Sequence, residues 1–220
     1  MNWLFVVAHA DDELLGAGAT ILNLIRKGHT VDVLCLTSNP KTREVEVSSK
    51  MQKMHSAIGI RKSIIGNMPA MNIATVEHYG AVKCIEDAIK DCQPDVIVTH
   101  CKNDLNPDHR KTFELVCEAY RLPQRQIGYS KPITAVYSME IPCATGWGLE
   151  PFVPDTFVEV QLEDISSKIK YVTEYDDVIR PHPHPRSNEG IVSLAMLRGG
   201  QCGSSYAEAF ETIFRKESIT

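Results

Sequence analysis

The chain has 220 residues, 43% hydrophobic and 23% charged, with 23 basic against 28 acidic side chains and a formal net charge of -5. These values exclude a disordered, collagenous or coiled-coil chain, and with no basic excess or stripe they exclude a nucleic-acid binder. The length suits one domain, read here as residues 1–220, and the 7 cysteines lack any C-x-x-C pair, which fits reduced thiols in the cytoplasm.

In chain order, residues 3–7 form a continuous apolar run of the kind buried on both faces of a parallel sheet. Helical spacing follows through Leu14, Leu15, Ala19, Ile21, Leu22 and Ile25, with Gly28 as the stop. Residues 30–36 read as a second strand, 43–58 as a helix, 63–65 as a short third strand and 76–92 as a further helix. Residues 95–99 form the fourth buried strand, and Pro107 opens a helix reaching about residue 121. Strands are then expected at 133–137 and 157–162, and helices at 166–175, 190–197 and 206–215. Residues 180–188 form a proline-rich surface loop.

Strands alternating with helices of this length predict an α/β, Rossmann-like domain: a mostly parallel central sheet flanked by helices, with its site at the carboxyl ends of the strands. With strand order 3-2-1-4-5, the first and fourth strands are neighbours across the point where the order reverses. No G-x-G-x-x-G follows the first strand, which disfavours a dinucleotide-binding dehydrogenase. No apolar run approaches the roughly 20 residues needed to span a bilayer, and the N-terminus lacks the basic region of a signal peptide.

Two clusters stand at the ends of those neighbouring strands. The first is His9-Ala10-Asp11-Asp12, where His9 and Asp12 can point an imidazole and a carboxylate at one centre. Acidic residues in a first helical turn also complement the helix dipole, which accounts for Asp12 and Glu13 but not for His9. The second cluster contains His100, Asp104, Asn106, Pro107, Asp108 and His109. Alone it reads equally well as a polar loop leading into a capped helix. Together, the clusters let His109 complete a His-Asp-His ligand set with a position left for water. Asp11 beside that water suits a general base, so the pattern points to metal-assisted hydrolysis of an amide or ester.

At these residues the chain resembles the PIG-L/LmbE-like family of zinc-dependent N-deacetylases. Ala8 to Glu13 reads A-H-A-D-D-E against the family's A-H-P-D-D-E. His100, Asp104, Asp108 and His109 match its second motif, H-x-x-x-D-x-H-x-D-H. Arg198-Gly199 and Ala207-Glu208-Ala209-Phe210 match its R-G and A-E-x-F ending. The resemblance implies zinc on His9, Asp12 and His109, a general base at Asp11, and removal of an N-acetyl group from a glucosamine-type sugar or conjugate. Iron, manganese or cobalt also suit a His2Asp site. The family's histidine at position 106 is Asn106 here. An asparagine still offers an N–H to an oxyanion, beside Asp108, but cannot carry a positive charge or shuttle a proton. That difference leaves open a catalytically impaired sugar- or nucleotide-binding protein of the same fold. A deacylase for another N-acylated natural product is a further alternative.

Arg43, His184 and Arg186 are the expected substrate contacts, arginine because its fork suits phosphate and carboxylate. Trp147 sits in a glycine-flanked loop, where it either stacks on a sugar ring or plugs the core edge. Arg198 and Glu208 are expected to form an ion pair, and His55 and His78 to lie on the surface without partners. The expected partner is a small N-acetylated sugar or conjugate, with no nucleic acid, no membrane span and an open possibility of a homo-oligomer.

Overall fold

The computed structural model describes residues 1–38, 44–125, 131–147 and 150–217. Its strands are β1 (Asn2–Val7), β2 (Thr30–Thr37), β3 (Lys62–Met68), β4 (Val96–Thr99), β5 (Ala135–Met139), β6 (Thr156–Glu159) and β7 (Ala207–Arg215). Its helices are α1 (Asp12–Arg26), α2 (Glu44–Ile58), α3 (His78–Cys92), α4 (Pro107–Ala119), α5 (Leu122–Arg125), α6 (Leu162–Thr173) and α7 (Asn188–Cys202). The sheet has 7 strands in the order β3-β2-β1-β4-β5-β7-β6. The first five run parallel, in the expected order, and β7 pairs antiparallel with both β5 and β6.

Alternation along the strands divides the core in two. Phe5, Val7, Val31, Val33, Val96 and Val98 face α1 and α2. Leu4, Val6, Leu34, Leu36, Ile97 and Val136 face α3 and α4. Both faces are covered, which is why the strands read as unbroken apolar runs. Gly16 lets α1 lie close on the sheet, because a Cβ there would fall 2.5 Å from Met139 Sδ. After α1 the chain turns at Gly28, whose φ of 79° suits a residue without a side chain.

One expected helix is a strand. Tyr206, Ala207, Phe210, Ile213 and Phe214 recur at helical spacing, yet 207–215 is β7, inserted between β5 and β6. Pairing on both sides outweighs the helical preference of alanine and glutamate. Residues 157–162 also divide: β6 ends at Glu159 and α6 begins at Leu162.

The expected Arg198–Glu208 pair does not form. Glu208 bonds Lys168 at 2.6 Å, and Arg198 bonds Glu140 through two contacts of 2.7 and 2.9 Å. His55 is buried rather than on the surface, and His78, although exposed, meets Glu118 at 2.8 Å. All seven cysteines are free thiols. Among the described residues no helix is long and apolar enough to cross a membrane.

Candidate functional site

β1 ends one residue before the turn that carries His9, and β4 ends at Thr99, one residue before His100. The two strands pair directly, so both loops open at the same end of the sheet. α1 starts at Asp12 and supplies its carboxylate, and α4 supplies His109 from its first turn.

His9 Nδ1, Asp12 Oδ2 and His109 Nε2 form a triangle with edges of 3.2, 3.3 and 3.3 Å. A tetrahedral ion with N and O bonds of about 2.0–2.1 Å needs ligand atoms about 3.3 Å apart. The donor set and its spacing therefore fit a divalent metal ion. The opposite side of each imidazole is also held, as ligating histidines require. His109 Nδ1 donates to Asp104 Oδ2 at 2.9 Å, and His9 Nε2 meets Asp108 Oδ2 at 3.1 Å.

Asp108 is itself fixed from a third element. Its carboxylate accepts the Met71 N–H at 2.5 Å and the Ile73 N–H at 3.1 Å. Burial works the other way, but His9 and these N–H groups hold its carboxyl below the ordinary range. No sequence signal marked residues 71–73 as part of this site.

Burial opposes ionisation of Asp12, but the His109 imidazole, 3.3 Å away, holds its carboxyl well below the usual range. Burial also disfavours a charged His9, yet Asp108 and Asp12 raise it to about 10. His109 rises to about 9 against the same penalty, through Asp12 and Asp104. His100 goes the other way: burial and the neighbouring His109 take it down to about 4. Its Nε2 accepts the Ala8 N–H at 2.9 Å, and its ring stacks on His109 with centroids 3.9 Å apart.

Asp11 lies between His9 and Asp12 in sequence. Burial and the Asp12 carboxylate push it up to about 8, while Arg186 pulls it back down. A carboxylate raised in this way binds a proton more tightly than an ordinary aspartate, and a cation on His9, Asp12 and His109 would draw it back toward the ionised form that a base requires. Its backbone has φ 142° and ψ -23°, a strained conformation for a residue with a side chain.

The other expected residues are placed as follows. Asn106 is the N-cap of α4, and its Oδ1 accepts the Asp108 N–H at 2.9 Å rather than meeting the Asp108 carboxylate. Arg186 Nε donates to Cys143 Sγ at 3.1 Å, and the Arg186 N–H donates to His184 Nδ1 at 3.0 Å. Arg43 lies outside the described residues. Trp147 is 71% exposed, so it does not plug the core. It lines a groove of about 420 Å³ with Pro142, Cys143, Pro185, Leu194 and Leu197.

Solved structures share this fold at low sequence identity. A conserved protein, TT1542, from Thermus thermophilus superposes with TM-score 0.78 at 21% identity, covering 98% of this chain and 96% of that one. GalB, the 4-carboxy-2-hydroxymuconate hydratase of Pseudomonas putida, gives 0.79 at 19% identity, covering 100% and 98%. The N,N'-diacetylchitobiose deacetylase of Pyrococcus horikoshii gives 0.75 at 18% identity, covering 96% and 83%. A hydratase and a deacetylase thus share the architecture, so the fold alone does not choose the reaction. In sequence, the family described as PIG-L, GlcNAc-PI de-N-acetylase, matches residues 4–120, more than half the chain and the part that carries both histidine–aspartate clusters. The chain belongs to the PIG-L family.

Proposed function

We propose that the protein is a divalent-metal-dependent, most simply zinc-dependent, N-deacetylase acting on an amino sugar or a conjugate that carries one. The observation that carries this reading is the 3.2–3.3 Å triangle of His9, Asp12 and His109, with Asp11 in the same turn as two of its members. Family membership supports the choice of an N-acetyl amide over other carbonyl substrates.

His9, Asp12 and His109 would hold the metal, which supplies Lewis acidity toward the amide carbonyl and lowers the pKa of water. Asp11 takes a proton from the attacking water as the new C–O bond forms. It then returns that proton to the departing nitrogen as the C–N bond breaks, leaving acetate and a free amine. Asp108 keeps His9 oriented. Asn106 Oδ1 is engaged with the helix, and its Nδ2–H group is the donor it offers to developing charge on the carbonyl oxygen.

Arg186, His184 and Arg43 are assigned to substrate binding. The Arg186 guanidinium is anchored at Nε, which leaves its terminal nitrogens to take a carboxylate, phosphate or hydroxyl of the substrate. Pro142 and Cys143, which Arg186 touches, form one wall of the Trp147 groove. That groove is the place for the rest of the conjugate.

The test is metal content and acetate release by purified protein over N-acetylated sugars, nucleotide sugars and glycolipids, beside Asp11→Asn. Stoichiometric metal and acetate release that falls at least about a thousandfold in the variant are expected. Metal without acetate from any of these substrates, or acetate release indifferent to Asp11, would overturn the reading.

A further inference from the structure

The strained backbone of Asp11 persists only if its surroundings fix it. Its N–H faces Glu13 Oε2 at 3.4 Å, and Glu13 is fully buried. Glu13 Oε1 meets His55 Nε2 at 3.0 Å, and His55 Nδ1 meets Ser63 Oγ at 2.9 Å. His55 is 1% exposed. The contacts run from β3 through α2 to the first turn of α1, and end at the residue between two ligands.

One arrangement of protons satisfies every member. The Ser63 hydroxyl donates to Nδ1, Nε2–H donates to the Glu13 carboxylate, and Glu13 accepts from the Asp11 amide. A buried carboxylate and imidazole are costly to desolvate, and apolar side chains of similar volume would pack α2 against α1 at least as well. Packing therefore does not account for them, whereas a need to hold Asp11 does.

We propose that His55, fixed by Ser63, is a positioning residue that acts through Glu13 to hold Asp11 in its proton-accepting geometry. This rests on the reading of Asp11 as the proton acceptor. His55 itself touches neither substrate nor the ligand atoms.

His55→Phe keeps the ring volume and removes both hydrogen bonds, and His55→Gln keeps an N–H that reaches Glu13. Amide exchange followed by NMR on the metal-free protein reads the hold directly. The Asp11 amide is expected to exchange at least about tenfold faster in His55→Phe, with Phe5 and Val6 unchanged, and near the parent rate in His55→Gln. In the loaded enzyme, kcat is expected to fall roughly 10- to 100-fold in His55→Phe while KM stays within about twofold, with most of the loss restored by glutamine. Unchanged exchange at Asp11, equal acceleration along all of β1, or a kcat loss that glutamine does not restore would each overturn the proposal. If His55→Phe does not fold, Ser63→Ala decides: faster exchange confined to Asp11 supports it, and no change refutes it. The exchange measurement needs neither metal nor substrate, so a protein that releases no acetate would fail the deacetylase reading without deciding this one.

Discussion

Asp104 accepts a 2.9 Å hydrogen bond from His109 Nδ1, and that bond turns the opposite nitrogen, Nε2, toward Asp12 and His9. Both residues are buried, so the orientation is not averaged by solvent. Asp104→Asn should lower metal affinity roughly 10- to 100-fold, because an amide can donate to Nδ1 and favour the wrong tautomer. Competition with a chromophoric chelator measures this. Unchanged affinity would mean that stacking on His100 alone orients His109.

Metal binding should release protons. In the metal-free protein burial opposes charge on both rings, yet carboxylates hold His9 at about 10 and His109 at about 9. The carboxylates thus favour protons on the nitrogens that face one another, and ligation requires those nitrogens to be bare. At least one proton should leave these rings per ion bound near pH 7, and affinity should weaken as pH falls. Calorimetry in buffers of different ionisation enthalpy gives the number. Binding with no proton release would place the ion away from these histidines.

The parallel half of the fold was legible because its strands are buried on both faces and its helices carry clean stops. That His9, Asp12 and His109 come together was legible because β1 and β4 pair directly, so the loops and helix starts that follow them open at the same end of the sheet. What escaped depends on distant partners. His55 looks like an isolated surface histidine until Glu13, 42 residues away, and Ser63, 8 residues away, are brought to it. Residues 71–73 have no chemical signature, since they serve through backbone N–H groups. The helical spacing of 206–215 was real, but the open edge of β5 that captures it is a tertiary feature.

Asn106 joins two roles that one substitution can separate. Its oxygen caps α4, and its Nδ2–H group is the donor assigned to the oxyanion. Asn106→Asp keeps the capping oxygen and removes the donor. Asn106→Ala removes both and should cost about 1 kcal/mol of stability through the lost cap. The aspartate variant should match the parent in denaturant unfolding yet lose about 100-fold in kcat. Retention of kcat in Asn106→Asp would remove Asn106 from the chemistry and leave it as a cap alone.

Glu208 meets α1 from another element at a break in the helix. α1 departs from helical geometry at Ala17, two and three residues before Ala19 and Thr20, and a helix restarting there needs acceptors for its first N–H groups. The Glu208 carboxylate takes them at 3.2 and 2.7 Å, and Lys168 Nζ completes the set at 2.6 Å. All of these groups are buried. Glu208→Ala should therefore destabilise the fold by about 3–5 kcal/mol, chiefly because it strands the Lys168 ammonium in the core. Lys168→Met added to that variant should recover part of the loss, since the unpaired charge goes with it. Urea unfolding of the parent, single and double variants reads both effects. If the double variant is no more stable than Glu208→Ala, the cost lies in the two bare N–H groups, and Glu208 serves α1 as a cap before it serves Lys168 as a counter-ion.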